Sequence, residues 1–167
     1  MTITTTTHLN FPGTARAALD FYQEVFGGQV QATTYGQLGA PADSPDAALI
    51  VFGGLTSPEG FRVMAYDIPG SADPNSGASV AGNDDAGTTS ATPSPGARRE
   101  YGMTITDRPF FLSVRGETLA EVTAYWEGLS AGAAIIEPLA ASAWSPGFGM
   151  LTDRFGVTWV IDVAAEH

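Results

Sequence analysis

The spacing of apolar residues switches between period two and the 3.6-residue period of a helix along the first part of the chain. Thr4 to Phe11 is β-branched and alternating, with Leu9 and Phe11 on one side and His8 and Asn10 on the other. It ends at Pro12-Gly13, which predicts a strand. Thr14 is placed to cap a helix, and Ala15, Ala18, Leu19, Tyr22 and Phe26 follow as an amphipathic stripe. Gly27-Gly28 supplies the stop. Gln29 to Tyr35, Ala47 to Phe52 and Phe61 to Ile68 predict three more strands. The order is β-α-β-β-β.

From residue 69 the pattern dissolves. Gly, Ser, Ala, Asp, Asn, Pro and Thr dominate to about residue 100, too little apolar surface to offset the entropy of ordering. We read 69–107 as a linker between a first module, 1–68, and a second, 108–167, within one compact domain. In the second module Phe110 to Arg115 predicts a strand. Thr118 and Glu121 form a capping box ahead of a helix with Leu119, Val122, Trp126 and Leu129 on its stripe. Gly132 stops that helix, and Ala133 to Leu139, Phe148 to Thr152 and Val157 to Val163 predict strands. The order β-α-β-β-β returns.

The spacing repeats as well. Phe21-Tyr22 precedes Gly28 as Tyr125-Trp126 precedes Gly132, and Gly60-Phe61-Arg62-Val63-Met64 matches Gly156-Val157-Thr158-Trp159-Val160. Gly60 and Gly156 each stand where a tight turn needs a positive φ. The predicted fold class is α+β, two βαβββ modules forming an open barrel-like sheet around a shared cleft.

Composition narrows the function. Eighteen acidic and seven basic side chains leave a formal charge of -11, the wrong sign for phosphate backbones and anionic lipid. Nucleic acid and membrane are therefore excluded as partners. A small-molecule ligand, cationic or amphipathic, is the expectation, beside the plain reading that acidity serves solubility. There is no cysteine, so there are no disulfides, thiolate metal sites or cysteine nucleophiles. The N-terminal MTITTTTHLNF lacks the basic and apolar regions of a signal peptide, and no apolar run reaches membrane-spanning length. A cytoplasmic location is expected.

The segments HLNF-PG-TARAALDFYQEVFGG and FGMLTDRFGVTW resemble the PhnB-like branch of the vicinal oxygen chelate superfamily. That superfamily includes glyoxalase I, bleomycin and fosfomycin resistance proteins and extradiol dioxygenases. The likeness covers residues 7–68 and 108–163 and implies paired βαβββ modules and a homodimer. No glycine-rich nucleotide loop follows the first strand, which argues against a methyltransferase. Metal-using members hold a divalent ion with His, Glu or Gln from the first and last strand of each module.

Carried over by position, the resemblance implies ligands at His8 (Thr6 or Thr7 if the register shifts), Met64, near Pro109, and Val160. One of the four is a ligand type. Asp162, two residues past Val160, shares its strand face, whereas Asp67, three past Met64, does not. His8 with Asp162 is thus either a reduced metal pair or a hydrogen-bonded histidine and a solvated aspartate. The expectation is no metal and no cofactor, the alternative a divalent-metal-dependent lyase or dioxygenase with divergent ligands.

Alternation directs His8, Asn10, Met64, Tyr66, Val160 and Asp162 away from the helices and toward the cleft. Such a lining suits a binding site and equally a filled interior. Trp144, in a Ser-Pro-Gly loop, either offers an aromatic face to a cation or packs an end of the barrel. Ser113, Ser142 and Ser145 lack the G-x-S-x-G setting of a nucleophile.

Overall fold

The computed structural model describes residues 3–70 and 97–164. The chain divides into two compact units, Met1–Ala86 and Gly87–His167. In the first, β1 (Thr7–Phe11), α1 (Ala15–Phe26), β2 (Gln29–Thr34), a 3-10 turn (Gly36–Leu38), β3 (Ile50–Thr56) and β4 (Arg62–Asp67) follow in order. The sheet order is β1-β4-β3-β2, with β1 parallel to β4 and the other pairs antiparallel.

The second unit opens with a hairpin, β5 (Ala97–Glu100) and β6 (Met103–Thr106). Then come β7 (Leu112–Gly116), α2 (Leu119–Ser130), β8 (Ala134–Ala140), β9 (Phe148–Thr152) and β10 (Thr158–Val163). The order β7-β10-β9-β8, with β7 parallel to β10, repeats the first sheet strand for strand. The fold is α+β with two βαβββ units, as the pattern predicts.

Hydrogen bonds show the repeat in detail. The Ser57 N–H donates to the Phe61 carbonyl at 2.9 Å, and the Asp153 N–H to the Val157 carbonyl at 2.9 Å. Gly60 and Gly156 close the same turns at φ 93° and 83°. Both need the left-handed region that a side chain strains.

The α1 stripe is buried on one side of its sheet, the α2 stripe only in part. In α1, Ala15, Ala18, Leu19, Tyr22 and Phe26 are buried with Leu9, Phe11, Leu55, Val63 and Ala65. In α2, Val122 and Leu129 are buried, while Leu119, at its first turn, is exposed. Among the described residues no helix is long and apolar enough to cross a membrane.

Three local expectations need correction. Thr14 makes no side-chain cap; the Ala15 N–H donates instead to Asp67 Oδ1 at 2.8 Å, and Asp67 Oδ2 takes the Ile50 N–H at 2.9 Å. A buried carboxylate from β4 has displaced the local cap. The strand expected at Ala47–Phe52 starts at Ile50, because Ala47 and Leu49 spend their carbonyls on Gly36 and Tyr35 in the preceding turns. Residues 97–106, read as linker, form the β5–β6 hairpin; 71–96 lie outside the described residues. By contrast Thr118 caps α2 as expected, its Oγ1 taking the Glu121 N–H at 3.2 Å. Glu121 reaches back to the Glu117 N–H at 3.0 Å.

Candidate functional site

With α1 on one side of the first sheet, the other side is set by alternation. It carries His8 and Asn10 of β1, Arg62, Met64 and Tyr66 of β4, and Phe52, Gly54 and Thr56 of β3. His8 stands beside Met64 and Asn10 beside Tyr66 in the parallel register, and Gly54 faces Met64 from β3. His8 Nδ1 lies 3.4 Å from Asn10 Oδ1, and its ring centroid lies 6.1 Å from that of Tyr66. The structure therefore gathers four of the expected residues on one face.

The Tyr35 hydroxyl donates to the Asp67 carbonyl at 3.2 Å. Partial loss of water, then the neighbouring Tyr66, then the charges of Asp46 and Asp67, push the Tyr35 pKa up to about 12. A raised folded pKa favours the protonated fold, so its contribution is complete below the unfolded value near 10 and is lost as pH rises through about 12. Stability should fall across that window, and Tyr35→Phe should flatten the fall in melts run at each pH. An unchanged slope in Tyr35→Phe would remove Tyr35 as its source.

A pocket of about 460 Å³ opens on this side of the sheet. Met64, Phe52 and Pro58 supply apolar surface, and Gln29, Gln31 and Arg62 supply polar groups. His8, Asn10 and Tyr66 stand on the same face outside its lining. Reading the sequence from the metal positions outward missed Phe52, Arg62 and the two glutamines. Alternation alone could have found Arg62, two residues before Met64.

The second sheet carries Phe148 and Met150 of β9 and Val160 and Asp162 of β10 on the side away from α2. Val160 sits between Ser113 and Met150 in register, and Asp162 between Arg115 and Phe148. This corrects one carried-over position. Val160 matches Met64, so the counterpart of His8 is Ser113, not Pro109, which precedes β7. Asp162 faces the predicted side, but Arg115 grips it twice, Nη2 to Oδ2 at 2.6 Å and Nε at 3.1 Å. The bond and charge of Asp162 raise the Arg115 pKa above its usual value. Its acid charge is thereby compensated and no longer offers a free handle for a cation.

The β5–β6 hairpin covers part of this face. Arg99 lies with its guanidinium 5.4 Å from the Phe148 ring centre, donates to Thr104 Oγ1 at 2.9 Å and stands 3.5 Å from Glu137. Thr104 Oγ1 lies 3.9 Å from the Met150 sulfur, and Met150 is fully buried. Trp144 is exposed and sets an edge on Phe148, ring centres 5.5 Å apart. Ser145 is a structural serine, its buried hydroxyl shared between the Gly147 and Val163 carbonyls.

The donor set does not suit the divalent ion that related folds imply. A thioether, an alkyl group and a serine occupy three of the four places, and neither Met64 nor Val160 can present an oxygen or nitrogen. Among the described residues no three His, Cys, Asp or Glu side chains cluster to hold a metal.

Protein YjdN of Escherichia coli K12 is 24% identical over 161 residues, covering 96% of this chain and 95% of its own. The structure of PA1353 from Pseudomonas aeruginosa superposes with a TM-score of 0.67 at 23% identity, covering 99% of this chain and all of that one. The PhnB protein of Bacillus cereus gives 0.61 at 23% identity, covering 97% of this chain and all of that one. At this identity the two structures establish the fold. The family model of the Glyoxalase/Bleomycin resistance protein/Dioxygenase superfamily matches residues 8–161, from the first strand to the last, and the chain belongs to that superfamily.

Proposed function

We propose that this protein binds or sequesters a small amphipathic molecule and does so without a catalytic metal. The observation that carries this reading is the register: Met64 beside His8, Val160 beside Ser113, and Asp162 held by Arg115. Of the strand positions where the resemblance implies metal ligands, Met64 and Val160 offer only apolar contact. In the first unit this reading assigns ligand contact to His8, Asn10, Met64 and Tyr66; in the second, taken by itself, it assigns ligand contact to Trp144, Val160 and Asp162. The pocket beside Met64, with apolar and polar lining together, suits such a ligand. A homodimer and a cytoplasmic setting belong to this reading.

Elemental analysis of the purified protein should find no stoichiometric divalent metal. Mn, Ni, Zn and Fe(II) should each leave the melting temperature unchanged. A native-state ligand at a hundred times its Kd would add about 2.7 kcal/mol and raise it visibly. A stoichiometric metal, or such a rise, would replace this reading with the metal-dependent lyase or dioxygenase. A screen of amphipathic compounds by the same melts should give stabilising hits that Met64→Ala weakens.

A further inference from the structure

The seven basic side chains of the protein are all arginines, and all lie among the described residues. Six have partners there. Arg16 pairs with Asp20, Arg98 with Glu100, Arg99 with Glu137, Arg108 with Asp107 and Arg115 with Asp162, and Arg154 donates to the Ala131 carbonyl. The Arg62 side chain has no ion pair or hydrogen bond among the described residues, although carboxylates outnumber arginines by more than two to one in the chain. It lines the pocket that holds Phe52 and Met64, and it faces Thr56 across the β3–β4 ladder. Gln29 and Gln31 add amide donors to the same lining.

The geometry points to an anionic ligand: Arg62 reads an oxyanion group, a carboxylate or sulfonate, on a compound whose apolar body lies on Phe52 and Met64. This rests on the binding function proposed above and names its ligand class. The net charge of -11 opposes an anion, but salt screens charges beyond roughly 8 Å, so the nearest group decides. Two of the neighbouring acids are engaged elsewhere. Asp20 pairs with Arg16 on α1, across the sheet from the pocket, and the Asp67 carboxylate is buried under the Ala15 and Ile50 N–H groups. Glu59, in the adjoining turn, makes no ion pair with Arg62. A guanidinium offers a planar fork of donors that fits an oxyanion bidentately.

Three dyes test the assignment: 8-anilinonaphthalene-1-sulfonate as amphipathic anion, Nile red as neutral body and thioflavin T as cation, each titrated by fluorescence. The sulfonate dye should bind saturably and more tightly than thioflavin T. Arg62→Gln should weaken it roughly tenfold or more, the worth of a charge-assisted hydrogen bond, and Arg62→Lys by less. Nile red should bind Arg62→Gln about as well as the parent, and Phe52→Ala should weaken both dyes. Arg62 is exposed, so Arg62→Gln should melt within about 2 °C of the parent, which separates lost binding from lost folding. If Phe52→Ala weakens the sulfonate dye and Arg62→Gln does not, the anionic assignment falls and the binding function stands. The same follows if thioflavin T binds more tightly than the sulfonate dye. If none of the three binds, both fall.

Discussion

Asp67→Ala is expected to melt roughly 10 °C below the parent protein, from the loss of about 3 kcal/mol or more. The side chain is 1% exposed and makes two bonds, to the Ala15 N–H at 2.8 Å and the Ile50 N–H at 2.9 Å. The first satisfies the leading N–H of α1, and the second fixes the start of β3. Alanine leaves both buried donors unpaired, and each costs about 1–3 kcal/mol. It also removes the helix cap, worth about 1 kcal/mol in itself. Asp67→Asn sharpens the test. It keeps the shape but offers one acceptor oxygen, and its amide nitrogen would meet a donor. Differential scanning calorimetry should place it well below the parent, and equal melting for Asn and Asp would end the two-acceptor account.

Asp153→Ala should cost a comparable amount, about 3 kcal/mol, for a related reason in the second unit. Asp153 Oδ1 accepts from the Phe155 N–H at 2.8 Å and the Val157 N–H at 3.0 Å, and Oδ2 accepts from the Trp159 indole N–H at 2.8 Å. One carboxylate thus shapes the β9–β10 turn and anchors the largest fully buried side chain of the protein. This is the physical content of the phrase Thr152-Asp153-Arg154-Phe155-Gly156-Val157-Thr158-Trp159. The indole N–H resonance of Trp159 reports the loss directly. A shift toward the free-indole position, with a lowered melting temperature, is expected. An unshifted resonance in Asp153→Ala would show that another group holds the ring.

The sequence carried the architecture because period and punctuation were both strong. The α1 stripe, the Thr118–Glu121 cap and the paired turns at Gly60 and Gly156 all stand where local chemistry puts them. What escaped was non-local or short. No local signal shows that Asp67 would outcompete Thr14, because its partners lie 52 and 17 residues away. The β5–β6 hairpin was hidden in a four-residue strand after a polar stretch, turned by Tyr101-Gly102 at φ 51° and 75°. A turn with positive φ at both central residues is the type I′ hairpin turn, and tyrosine does not advertise it. At the site, alternation assigned the faces correctly. The register alone revealed that Ser113 matches His8 and that Arg115 engages Asp162. Arg62 went unnoticed because inherited metal positions directed the search.

The two helix caps differ in a way that bears on the order of assembly. The α2 cap closes over three residues, from Thr118 to Glu121, and is available as soon as that turn forms. The α1 cap closes over 52 residues, from Ala15 to Asp67, and waits for the last strand of its unit. Each doubling of a loop adds roughly 0.6 kcal/mol of closure entropy, so the α1 cap carries about 2.5 kcal/mol more of it than the α2 cap. Twelve-residue helices are marginal alone. The repeat that makes the two halves alike in shape therefore leaves their helix starts unlike in kind: one is held by its own first turn, the other by a strand 52 residues away.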